Sequence, residues 1–177
     1  MNRFKFFKIF CFILSVAAAL YYPVQKIIRY EYRPAQTFEF KVTGYDPYDP
    51  ARGHYLTLTV HPQESNVKKD GLYAVIGTDK DGYADVIDLI DKPDGRPCVK
   101  LKDSSGNRWI HYKFNRFYIN EKLARRADSI FRMAVEAKKR CVLAVRVYDD
   151  GACAVSDLLI DGKSIRILAA ECGVKKK

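Results

Sequence analysis

Residues from which metal sites and nucleophilic dyads are built are few in this chain. Its 177 residues hold three histidines, His54, His61 and His111. None stands in an HxxxH or HExxH spacing, which argues against a metalloprotease. The five cysteines include no CxxC pair and no zinc-type spacing with a histidine. The serine–lysine catalysis of membrane signal peptidases has no evident pair either: Ser15 lies in an apolar run, Ser65 in a polar loop, and Ser104 and Ser105 in a turn. The nearest approach to a calcium loop, Asp79 to Asp88, fails at its first ligand, because counting back from Gly82 as the sixth position reaches Gly77. No metal and no cofactor is therefore expected.

Internal repeats and disordered linkers are also missing ahead of the lysine tail, and the length suits one domain once a terminal segment is set aside. The body of the chain lacks excess charge. The formal net charge is +10, but Arg3, Lys5 and Lys8 supply three of those charges and Lys175, Lys176 and Lys177 three more. Residues 23–35 add a net two, from Lys26, Arg29 and Arg33 against Glu31, which leaves residues 36–174 nearly balanced. A nucleic-acid binder concentrates its cations on one face of the folded domain, so no nucleic-acid partner is expected. Cations at the ends instead suit anionic lipid headgroups, where each is worth ~1 kcal/mol.

What the chain does have is an apolar amino terminus. Ile9 to Tyr22 carries no charge, and Phe4 to Val24 is interrupted only by Lys5 and Lys8. As a helix that stretch reaches roughly 30 Å, one hydrocarbon thickness, with both lysines snorkelling to the near interface. Tyr21 and Tyr22 fall at the level of an aromatic belt. A basic start, an apolar middle and Ala17-Ala18-Ala19 also fit a cleaved signal peptide. The bulky Tyr21 and Tyr22 beyond the small residues, and then Pro23, favour an anchor. The expected organisation is a basic tail (1–8), a transmembrane anchor in the lipid bilayer (9–24), a juxtamembrane segment (25–35), a β-rich domain (36–170) and a basic tail (171–177). Cys11 lies in the span, leaving Cys98, Cys141, Cys153 and Cys172. Buried or unpaired thiols are expected there, with disulfides as the alternative in an oxidising space.

Beyond the anchor the pattern is mostly strands. Residues 37–42, 55–60 and 72–77 alternate or run apolar, and Asp79-Lys80-Asp81-Gly82 marks a hairpin turn into residues 83–90. After the break at Pro93-Asp94-Gly95 come strands at 98–102 and 108–114, joined by a turn at Ser104–Asn107. One helix is expected, capped by Asn120 with Glu121 in its first turn, and Leu123, Ala127, Ile130, Phe131, Ala134 and Val135 on one face. Lys138, Lys139 and Arg140 would close that helix. Strands at 141–148 and 153–160 and a short edge strand from Ser164 to Leu168 complete the pattern. The fold class is α+β, a predominantly antiparallel sandwich or barrel with one long amphipathic helix behind a transmembrane helix.

Residues 45–60, YDPYDPARGHYLTLTV, hold two Asp-Pro pairs and an Arg-Gly step ahead of a strand. Each proline biases Asp46 and Asp49 to extended or turn geometry, Gly53 permits a positive φ or a close backbone approach, and Arg52 has two carboxylates within a few residues, one of which it could bridge bidentately. The run Gly53-His54-Tyr55-Leu56-Thr57-Leu58-Thr59-Val60 resembles the naming motif of the GDYXXLXY family, membrane-anchored bacterial proteins of uncharacterised function. His54 stands where Asp is usual and Val60 where Tyr is usual. Phe117-Tyr118-Ile119-Asn120-Glu121 and Leu159-Ile160-Asp161-Gly162-Lys163 are similar to two further stretches of that family. The resemblance implies an N-terminal anchor, a β-rich domain outside the cytoplasm and a polytopic membrane protein as possible partner.

The candidate binding residues are Asp46, Asp49, Arg52, Gly53, His54, Tyr55, Leu58, Tyr118, Asn120 and Glu121, with Lys122 beside them. Two roles are open to this cluster. An Arg52–Glu121 ion pair would dock the start of the helix on the motif loop, or the cluster would recognise an anionic or peptide partner. The leading expectation is a non-catalytic extracytoplasmic binding or accessory protein. The alternative is an envelope hydrolase using Asp49 and Glu121 as acid and base.

Overall fold

A computed structural model describes residues 3–31, 34–46, 55–62, 64, 67, 70–102 and 109–174. The chain divides into two compact units, Met1–Pro34 and Ala35–Lys177. The first is helix α1 (Arg3–Glu31), with Pro23 inside it. Its stretch Phe7–Gln25 runs 19 residues at a mean hydropathy of 1.8, long and apolar enough to cross a membrane. Within it the Ser15 hydroxyl donates back to the Phe12 carbonyl at 2.8 Å, so this polar group is satisfied inside the helix.

The second unit continues as β1 (Gln36–Asp46), β2 (Tyr55–Val60), β3 (Tyr73–Thr78), β4 (Ala84–Ile90), β5 (Cys98–Lys100) and β6 (Arg116–Tyr118). Helix α2 (Glu121–Glu136) follows, then β7 (Cys141–Val147), β8 (Cys153–Ile160), β9 (Lys163–Ser164) and helix α3 (Ile165–Val174). The strands form two antiparallel sheets, a curled half-barrel in the order β6-β2-β1-β7-β8-β9 and a smaller sheet β4-β3-β5.

Strand β1 organises the larger sheet. Its first half, Gln36 to Lys41, pairs with β7, and its second half, Val42 to Asp46, pairs with β2 across a register shift between Thr43 and Tyr45. Such a bulge bends a strand and increases its twist, which curls the sheet. Alternation buries Phe38, Phe40 and Val42 and turns Glu39, Lys41 and Thr43 outward. Leu56, Leu58 and Val60 of β2 join the same core. β7 is buried along nearly its whole length, as a strand covered on both faces must be.

Helix α2 starts where Asn120 accepts a hydrogen bond from the Lys122 N–H at 3.0 Å, as its sequence predicts. Ala124, Ala127, Phe131 and Ala134 form its buried face, and the three alanines let the helix lie close to its neighbours. β8 turns into β9 through Asp161 (φ 49) and Gly162 (φ 79), the pair of positive φ angles a two-residue hairpin turn requires.

Three expectations need correction. The edge strand is shorter than 164–168: β9 ends at Ser164 and α3 begins at Ile165, where the Ser164 hydroxyl accepts the Arg166 N–H at 3.2 Å and Ile165 and Ala169 are buried one turn apart. Helical spacing of these small apolar residues outweighs the β-branched start. Residues 109–114 form no ladder. Trp109 makes an isolated bridge to Glu64, and Ile110, Tyr112 and Phe114 are buried alternately. Alternation is kept because the segment packs alternate side chains on the core, where the Phe40 ring meets those of Tyr112 at 5.4 Å and Phe114 at 5.0 Å. The paired strand lies just beyond, at β6. Finally, α2 stops at Glu136 and Lys138 is left-handed (φ 53), so Lys138, Lys139 and Arg140 belong to the loop into β7 rather than to the last helical turn.

All five cysteines are free thiols; Cys98 and Cys141 are buried, Cys153 is half-buried and Cys172 is exposed. Burial pushes the thiols of Cys98 and Cys153 up to about 11 and raises that of Cys141. In a Cys11→Ser background, Cys172 is expected to react with a thiol reagent at once, and Cys98, Cys141 and Cys153 only as the domain unfolds. A second expectation concerns the turn after β7. Gly151 has φ +83, and a Cβ there would collide with the Tyr73 ring. Gly151→Ala should cost about 2–3 kcal/mol in chemical denaturation, whereas Gly82→Ala, at the same φ in open space, should cost about 1 kcal/mol.

Candidate functional site

Strand pairing brings part of the motif cluster together. β2 and β6 set Tyr55 opposite Tyr118, with ring centroids 5.8 Å apart, and the Arg116 guanidinium lies 4.9 Å over the Tyr55 ring. Tyr118 is 65% exposed, and two residues later Asn120 caps α2, whose first residue is Glu121. A carboxylate there also favours the positive end of the helix dipole. Lys122 is exposed in the same first turn. Leu58 does not join this surface: it points inward and is buried in the core. Val60, at the motif position where Tyr is usual, is buried too. Asp46 ends β1 opposite Thr57. Asp49, Arg52, Gly53 and His54 lie outside the described residues, and so do the Arg52–Glu121 ion pair and the Asp49–Glu121 acid/base pair.

One contact of this region had no sequence signal. Arg166, at the start of α3, donates to the Tyr118 carbonyl at 3.5 Å and to the Ser156 carbonyl at 3.2 Å. It also pairs with Asp157 at 3.5 Å, and its guanidinium lies 4.7 Å over the Phe117 ring. It ties β6 to β8, the two sides of the half-barrel.

A second group of side chains converges on Tyr83, the residue that follows the β3–β4 turn. That turn is held by Asp79, whose carboxylate accepts the N–H groups of Asp81 at 2.9 Å and Tyr83 at 2.7 Å. Two cations approach the Tyr83 ring, Arg140 at 4.9 Å and Lys41 at 5.9 Å from its centroid. Arg140 is fixed from several sides. Its guanidinium pairs with Glu39 at 2.9 Å, its N–H donates to the Asp161 carboxylate at 3.1 Å, and its carbonyl accepts the Asp161 N–H at 2.8 Å. Lys139 pairs with the same Asp161 carboxylate at 3.4 Å.

Two adjoining cavities flank this arrangement. One, of about 360 Å³, is lined by Lys41, Lys138, Lys139, Arg140 and Tyr83 among its residues. The other, of about 390 Å³, shares Lys41, Thr43 and Tyr83 and adds His61, Asp79, Asp81 and Asp85. His61 Nε2 and the Thr43 hydroxyl share a hydrogen bond. Sequence reasoning assigned the 138–140 cations to a helix end and gave Lys41 and Tyr83 no role. The one signal available was that Lys41 occupies an outward position of an alternating strand.

A family model described as GDYXXLXY protein matches residues 16–158. No curated protein and no solved structure matches the chain.

Burial first, and then the charge of Lys41, hold the His61 imidazole below its ordinary value of 6.5. Because the unfolded chain regains that ordinary value, the neutral ring's contribution to stability is present above pH 6.5 and is lost as pH falls through the depressed folded value. Lys41→Ala is expected to move the His61 midpoint upward in a proton NMR titration. A midpoint that stays or falls would show that the lysine charge does not reach the ring.

Proposed function

The chain belongs to the GDYXXLXY family, and on that premise we propose that it is a single-pass, membrane-anchored binding or accessory protein of a bacterial cell envelope. Residues 9–24 cross the bilayer, the short basic tail stays inside, and the β-rich domain works on the extracytoplasmic side beside a polytopic membrane protein. The observation that carries this proposal is the Phe7–Gln25 helix, whose described apolar side chains are all exposed. Such a surface is costly in water and satisfied in hydrocarbon. Cations on both flanks of the span, Arg3, Lys5 and Lys8 before it and Lys26, Arg29 and Arg33 after it, support contact with headgroups on either side.

The use made of the described motif residues favours recognition over catalysis. Asn120 is committed to capping α2, Leu58 to the core, and the Tyr55 ring to Arg116, while Tyr118 presents an exposed aromatic ring at the outer strand. Exposed tyrosine beside arginine is a composition suited to a protein interface.

Capture of the tagged full-length protein from detergent-solubilised membranes is expected to recover a polytopic membrane protein. Recovery of no membrane protein above background would overturn the accessory role. Protease added outside intact spheroplasts is expected to remove the domain, and its protection would place the domain on the opposite side.

A further inference from the structure

The cavity beside Tyr83 departs from the charge balance of the rest of the domain. Residues 36–174 carry nearly equal numbers of cations and carboxylates, yet Lys41, Lys138, Lys139 and Arg140 line this one cavity and no carboxylate does. Glu39 and Asp161, which pair with Arg140 and Lys139, are absent from the lining. They hold Arg140 and Lys139 in place and offset part of their charge, which leaves Lys41 and Lys138 as the uncompensated cations of the lining. Lys41 and Lys138 form no ion pair with a carboxylate among the described residues.

Offsetting the negative end of α2 would account for cations at 138–140. It does not account for the convergence. Lys41 comes from β1 and Tyr83 from the end of the β3–β4 turn, and Lys138 has already left the helix in a left-handed conformation. Three separate parts of the chain bring their groups to one concave surface, with an arginine held by backbone, carboxylate and ring. A planar guanidinium flanked by lysine point charges is the arrangement that receives a phosphoryl group.

We propose that this cavity binds a phosphoryl group carried on a small organic body, a site that does not depend on the membrane-accessory role proposed above. At about 360 Å³ the cavity has the size of a small-molecule site rather than of a bare ion pocket. The adjoining cavity, which shares Lys41, Thr43 and Tyr83, bears Asp79, Asp81 and Asp85. Its carboxylates repel a second anionic group, so the ligand carries its negative charge at one end, and an amine at the other end fits the acidic side. A phosphoethanolamine group has that chemistry, whether free or as a lipid headgroup.

The test uses the full chain in neutral detergent micelles, titrated by calorimetry with O-phosphoethanolamine, inorganic phosphate and pyrophosphate. Saturable binding of phosphoethanolamine near or below about 1 mM is expected, with pyrophosphate binding no more tightly than phosphate. The Lys41→Ala/Lys138→Ala double variant is expected to weaken phosphoethanolamine binding about tenfold or more while melting as the parent does. Both lysines are exposed, so folding does not depend on burying them. Arg140→Ala would weaken binding further. Absence of saturable binding by any of the three probes, or binding that the double variant leaves unchanged, would overturn the proposal. Reconstitution in bilayer nanodiscs with and without phosphatidylethanolamine then separates the two sources. Loss of soluble-probe binding in the presence of that lipid assigns the site to the headgroup, retention assigns it to a soluble ligand, and either result supports a phosphoryl site.

Discussion

The pairing of β1 is the constraint on which the folded unit rests. One strand serves two neighbours in succession, changing from β7 to β2 between Lys41 and Val42, and the bulge between Thr43 and Tyr45 then bends its second half. Its inward row, Phe38, Phe40 and Val42, lies in the core, and Phe40 meets the aromatic pair Tyr112 and Phe114. Its outward row has separate duties: Glu39 holds Arg140, Lys41 faces Tyr83, and Thr43 bonds His61. Because side chains alternate along a strand, a slip of one residue would exchange these two rows. The core and the cleft are therefore specified by the same register.

Closure of the half-barrel depends on contacts of a different kind. β6 is only three residues long and gains its place from β2 on one side and from Arg166 on the other. Arg166 also holds β8 through Ser156 and Asp157, so a single guanidinium links three elements. The Asp161-Gly162 turn has a comparable position. It shapes the β8–β9 hairpin and, through the Asp161 carboxylate and backbone, fixes Arg140 and Lys139 at the entry to β7.

Features set by near neighbours in the chain were legible from sequence. The apolar run of α1, the alternation of β1 and β2, the Asn120 cap and the Asp-Gly turns each need only a few adjacent residues. The antiparallel, barrel-like class and the family followed from those patterns and from the motif residues. The α3 helix was misjudged because five residues beginning Ser-Ile suit a short strand as well as a first helical turn. The segment at 109–114 was misjudged because alternation reports burial on one face and says nothing about a hydrogen-bonded neighbour. Of the candidate residues, the capping role of Asn120 was legible, the meeting of Tyr55 with Tyr118 follows from the β2–β6 register, and Asp49, Arg52, Gly53 and His54 lie outside the described residues. The Tyr83 cleft had no local signature. It exists only because the fold brings β1, the β3–β4 turn and the loop before β7 together, and Arg166 was hidden for the same reason.

The interior cysteines have a consequence for where such a domain can operate. Cys98, Cys141 and Cys153 fill space as small apolar groups, and none is cross-linked. The native state thus draws nothing from covalent staples and is held by packing, hydrogen bonds and ion pairs. The described core therefore closes without an oxidant.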